Sequence, residues 1–100
     1  MKAKNALGPA LRTVRNARGL SQEAFSDVSS RTYMSSLERG LKSPTLSKLE
    51  DLCELMDVHP VTLFLMAYAG GDVSPRKIQQ LLARVQRELD ALAVPEPQAR

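Results

Sequence analysis

Apolar positions recur at helical intervals along most of the chain. Leu7, Leu11, Val14 and Ala17 step by three and four, Pro9 suits a first turn and Gly19 stops the pattern, which predicts a first helix over residues 9–18. Ser21 is a suitable N-cap for a second helix of two turns, over residues 22–28, with Ala24, Phe25 and Val28 on one face. Ser29 and Ser30 then offer a turn and a fresh N-cap. A third helix over residues 31–39 carries Met34 and Leu37 inward and is closed by Gly40. After a loop over residues 41–44, Thr45 caps a fourth helix, 46–57, in which Leu46, Leu49, Leu52, Cys53 and Met56 share a face. Pro60, following His59, opens an apolar fifth helix that the Gly70–Gly71 pair ends near Ala69. Ser74 and Pro75 start a sixth, longer helix. There Ile78, Leu82, Val85, Leu89 and Leu92 step by four, three, four and three, the spacing of a heptad seam.

This pattern contains no run with the period of two that a strand requires, and the apolar residues are mostly Leu, Ala and Met, which favour helices. The fold class expected is all-α: five helices in one domain over residues 7–69, with an additional C-terminal helix over 74–93. Residues 1–6 read as a flexible basic lead. Residues 94–100, with two prolines and no apolar face, read as a disordered tail.

Composition narrows the chemistry. One cysteine, Cys53, cannot form an internal disulfide, and with a single histidine there is no zinc-ligand spacing, so neither metal nor cofactor is expected. The opening residues MKAKNALGPA lack an apolar leader, and the longest apolar run, 61–69, is far shorter than the roughly 20 residues of a membrane helix. A cytoplasmic location is the expectation. Cys53, among Leu49, Leu52 and Met56, reads as a buried thiol and not a redox sensor. No nucleophile with a base partner and no phosphate-cradling glycine loop is present, so an enzyme is not expected.

Charge is uneven. Residues 1–42 hold eight Lys or Arg against three Asp or Glu, and residues 43–100 hold six against eight, so the N-terminal part is the side suited to a polyanion. The second and third helices meet at a tight connection, the plan of a helix-turn-helix, and the third has a small, polar outer face on which Arg31, Thr32, Ser35 and Ser36 point away from Met34 and Leu37.

The segments LGPALRTVRNARGLSQEAF at 7–25, SRTYMSSLERG at 30–40 and SPTLSKLEDLCELMDVHPVTLF at 43–64 resemble the XRE family, the helix-turn-helix domains similar to lambda repressor and Cro. The resemblance covers nearly 60 residues. It implies a lambda-repressor-like DNA-binding domain in which Gln22 meets a phosphate and steadies the recognition helix. It also implies that Ser30, Arg31, Thr32, Ser35 and Ser36 lie on the base-facing and backbone-facing side of the third helix. Arg15 matches a position that often points at the backbone, and Lys42 lies in a loop that passes a phosphate. Glu38 and Arg39 match a structural pair, the glutamate partnering a basic residue of the first helix such as Arg15. Between Phe25 and Ser30 the chain is about two residues shorter than the usual family spacing, so either the second helix is shortened or the turn is tighter.

Double-stranded DNA is therefore the expected partner. Arg12, Arg15, Gln22, Arg39 and Lys42 would position the domain on phosphates, while Arg31 and the Thr32 methyl would read bases. One such domain covers half a site, so a homodimer is expected, joined through Ile78, Leu82, Val85, Leu89 and Leu92 with help from Phe64 and Leu65. The same seam could instead fold back on its own core. The competing function is an antitoxin or protein-interaction module whose helix-turn-helix holds a protein partner. With no room for an effector domain after residue 73, control by protein concentration is the simpler expectation.

Overall fold

A computed structural model describes residues 3–93. Its helices are α1 (Ala3–Ala17), α2 (Arg31–Glu38), α3 (Leu46–Met56), α4 (Pro60–Ala69) and α5 (Pro75–Leu92), with a 3-10 turn, Gln22–Phe25, between α1 and α2. The described residues contain no strand, as the all-α pattern predicts.

Helix α1 starts earlier than the pattern predicts. Residues 3–6, expected as a flexible basic lead, are helical, and Pro9 lies inside the helix instead of in its first turn. Proline cannot donate a hydrogen bond to the carbonyl four residues back. The helix nevertheless continues, because Ala6 and Leu7 pack against the core on the N-terminal side of Pro9. Residues 1–2 and the expected tail, 94–100, lie outside the described residues.

The second predicted helix is a correction. Only Gln22–Phe25 is helical, and in 3-10 form, followed by turns to Ser29. A 3-10 segment repeats every three residues. Gln22, Phe25 and Val28 accordingly turn inward, while Ala24, expected on the apolar face, is exposed. The missing residues before Ser30 are thus taken out of this helix.

Local capping sets the remaining boundaries. Ser30 Oγ accepts from the Tyr33 N–H at 3.0 Å, Thr45 Oγ1 from the Lys48 N–H at 3.0 Å and His59 Nδ1 from the Val61 N–H at 3.0 Å. Ser74 caps α5 through the Lys77 N–H at 3.4 Å. Ser21, expected to cap, makes no side-chain cap bond, in keeping with the short turn it precedes. Helix α3 ends on Asp57 in the left-handed conformation, φ 57°, and Arg18 of the α1 end donates to the Met56 and Asp57 carbonyls, both at 2.9 Å.

One core binds α1, the 3-10 turn, α2, α3 and α4. Leu11, Phe25, Met34, Leu52, Cys53, Met56 and Leu63 are its fully enclosed side chains. Met66 packs at its edge. Burial pushes the Cys53 thiol pKa up, which keeps it protonated and unreactive. Helix α5 contributes no buried residue. The radius of gyration, 15.5 Å, exceeds the roughly 13 Å of a compact chain of this length because α5 stands away from that core.

Gly8 sets how closely α1 and α2 approach. A Cβ there would lie 2.5 Å from the Glu38 carbonyl oxygen and 2.6 Å from that of Leu37, both backbone atoms that cannot swing aside. Gly8→Ala is expected to lower stability by about 1–3 kcal/mol despite alanine's better helix propensity. Thermal denaturation of the variant checks this; an unchanged or raised melting temperature would refute the close-approach argument.

Candidate nucleic-acid interface

The third predicted helix is α2, and a buried carboxylate sets its position. Glu38, at its last turn, is 8% exposed. Arg15 of α1 donates to it from Nε at 2.5 Å and from Nη2 at 3.0 Å, a bidentate pair, and Gln22 Nε2 adds a third bond at 3.1 Å. The same guanidinium donates from Nη1 to the Leu20 carbonyl at 2.8 Å. The hydrogen bonds from the guanidinium to Glu38 raise the Arg15 pKa, outweighing the opposing effect of burial, so this cation is permanent. Arg15, buried at 8% exposure, therefore turns three of its five N–H donors inward, and the phosphate role expected of it is corrected to a positioning one.

The outer side of α2 is a stripe. Arg31, Thr32 and Arg39 are exposed and Ser35 is half-buried, and Arg31, Ser35 and Arg39 follow one another at four-residue spacing on one face. Ser36 is buried, at 8% exposure, and faces the core beside Met34 and Leu37, which removes it from the base-facing set expected for it. The periodicity explains the miss: in a helix of eight residues with Leu37 and Glu38 both inside, the inward arc is wide enough to take their neighbour. Ser30 is exposed at the N-cap.

The flanking groups differ in how available they are. Gln22 has committed one amide hydrogen to Glu38 and keeps the second for an acceptor such as a phosphate oxygen. Arg31 Nη1 lies 3.3 Å from Glu23 Oε2, but both side chains are more than 70% exposed, so the pair is weak and easily exchanged. Arg39 Nε makes only a long bond to the Ser35 carbonyl, 3.4 Å. Lys42 Nζ stands 5.8 Å from the centre of the Tyr33 ring, a cation–π contact that draws the exposed ammonium toward the α2 N-terminal half. Tyr33 is itself partly buried against the core. Arg12 is exposed on α1.

Three structural residues were not singled out by sequence pattern. Gly8 and Arg18 act on carbonyls distant in sequence, and Lys48 Nζ donates to the Val28 carbonyl, tying α3 to the end of the turn before α2. Neither periodicity nor local motif reports such contacts. Beside that tie, the Ser29 hydroxyl is buried with no hydrogen-bond partner among the described residues.

A protein-family model described as a helix-turn-helix domain matches residues 6–63, more than half of the chain. The chain belongs to the helix-turn-helix domain family. A search of curated proteins found no match. The matched span of this helix-turn-helix domain takes in α1, the 3-10 turn, α2 and α3 and ends within α4, and it leaves α5 outside. Within the matched span, α2 is the helix that follows the 3-10 turn and carries the polar stripe.

Removing one member of the Arg15–Glu38 pair leaves an uncompensated buried charge. Arg15→Met is expected to cost about 3–5 kcal/mol, and Ser29→Ala, which deletes an unpartnered hydroxyl, to be neutral or stabilising by up to about 1 kcal/mol. Chemical denaturation of both variants checks the pair; a mild Arg15→Met or a strongly destabilising Ser29→Ala would contradict these assignments.

Proposed function

We propose that this helix-turn-helix domain is a sequence-specific transcriptional regulator of the XRE kind, a dimeric repressor that reads a pseudo-palindromic operator with α2 in the major groove. The observation that carries the reading is the outward stripe of exposed Arg31, Thr32 and Arg39 with half-buried Ser35, on a helix held from behind through Glu38. Small polar side chains let the helix axis approach base edges. Arg31 is the side chain on that stripe long enough, and placed at the N-terminal end of the helix, to make a bidentate contact with guanine O6 and N7. Thr32 offers a methyl to thymine and Ser30 and Ser35 offer adaptable hydroxyls, which leaves part of the selectivity to DNA shape.

Lys42, Arg39, Arg12 and the second amide hydrogen of Gln22 supply the contacts that position the domain on phosphates. Such contacts release counterions and carry no sequence information. Dimerisation through the α5 seam is supported by its exposure: Leu82, Val85, Leu89 and Leu92 all face solvent in the single chain, with Leu92 79% exposed. Two copies would bind half-sites about one helical turn apart. A cytoplasmic location follows from the proposed DNA target. Among the described residues no single helix is long and apolar enough to cross a membrane.

Selection from a randomised duplex pool at near-physiological salt is expected to enrich a two-fold symmetric site. Arg31→Ala is then expected to lose about 1–3 kcal/mol of discrimination at one base pair of each half-site. Lys42→Ala should weaken binding evenly across sequences and reduce the salt slope by about one. Enrichment of no sequence, with binding that vanishes as salt rises, would instead favour a protein-interaction module.

A further inference from the structure

Helices α4 and α5 line an open apolar groove of about 470 Å³ whose walls include Val61, Phe64, Leu65, Tyr68, Leu81 and Val85. Val61, Tyr68 and Val85 are each 44–54% exposed there, and the same side of α5 continues into Leu89 and Leu92. Arg84 and Glu88 of α5 also line it, so the groove is an apolar strip with a charged edge. At Val61 and Phe64 the groove runs into a second hollow of about 580 Å³, lined by Leu46, His59 and the carboxylates of Glu50 and Glu54. The floor is greasy and one end is acidic.

The occupant is indicated by charge and direction. Helix α5 is itself an apolar seam flanked by cations: Arg76 and Lys77 in its first turn, then Arg84 and Arg87, against Glu88 and Asp90. In the C-terminal half of α5 the cations Arg84 and Arg87 are balanced by Glu88 and Asp90, so the net positive charge of the helix lies in its first turn, where Asp72 faces Lys77. The short link from Ala69 to Pro75 returns α5 alongside α4, so the α5 C-terminal half lies toward the α4 N-terminus, where the acidic hollow is. An antiparallel second α5 laid in the groove therefore brings its basic first turn to that hollow.

We infer that the α4–α5 groove is the acceptor for α5 of a second copy of this chain, with Arg76 and Lys77 of each copy seated against Glu50 and Glu54 of the other. The exchange is isologous, and one two-fold axis covers both grooves. Ile78, Leu82, Val85 and Leu89 then stack between the copies, and the acidic rim sets the register by opposing charge. This rests on the dimeric reading above and names its surface. It also assigns a role to the α3 carboxylates Glu50 and Glu54, which line the hollow at the end of the groove.

Sedimentation equilibrium of the full chain tests it. The wild type should be a dimer, and Leu82→Asp, exposed in the single chain, should be monomeric with its helical circular dichroism intact. The double reversal Glu50→Lys with Glu54→Lys should raise the dimer dissociation constant about tenfold or more, as should Arg76→Glu with Lys77→Glu, and combining all four should restore it to within about threefold of wild type. A monomeric wild type, a dimeric Leu82→Asp, reversals without effect, or a combined variant weaker than either parent would each overturn the assignment. Duplex selection on the wild type separates the two readings: a failed selection beside an intact charge swap removes the DNA reading and leaves this surface standing.

Discussion

Helix α1, the 3-10 turn and α2 are registered against one another at the carboxylate of Glu38. It receives two bonds from Arg15 in α1 and one from Gln22 in the 3-10 turn, while its own backbone belongs to the end of α2. Three segments are thereby fixed at one point. A buried ion pair is a poor source of net stability, because the desolvation of both charges offsets most of their attraction. Its value here is orientation: an apolar contact would tolerate a slide or a rotation of α2, whereas a bidentate guanidinium accepts one geometry. Gly8 complements it by letting the α2 carbonyls come into contact with the α1 backbone, so the same helix end is held both by charge and by close packing.

That arrangement explains which parts of the molecule pattern alone could reach. The ends of α2, α3, α4 and α5 were visible because caps and terminal glycines act within a few residues, and Ser30, Thr45 and Ser74 each cap the helix expected of them. The Arg15–Glu38 pair was legible through family resemblance. Arg18, Lys48 and Gly8 were not, since each acts on a backbone atom brought near only by the tertiary fold. Ser36 was misassigned for a related reason: periodicity divides a helix into two faces, but the true inward arc of α2 depends on what packs behind it. The 3-10 turn was foreshadowed by the shortened spacing before Ser30, though its three-residue period, which buries Phe25 and exposes Ala24, emerges only from the fold.

The molecule thus divides its labour. From α1 to α4 a single core takes most of the large apolar side chains, leaving Leu41, Leu46, Val61 and Tyr68 exposed, and the outer stripe on α2 is polar. Helix α5 uses none of that core; its apolar residues are left for another surface, and loss of that surface need not unfold the domain. Binding and assembly can consequently be altered separately by mutation.

The central claim is that α2, held by Glu38, is the surface that meets DNA. The most direct measurement is a two-dimensional amide NMR titration of the labelled full chain with a duplex. The largest shifts are expected at Arg31, Thr32, Ser35 and Lys42, with Ser36 and Glu38 little changed and α4 and α5 silent. Shifts confined to α4 and α5, with α2 unmoved, would contradict it.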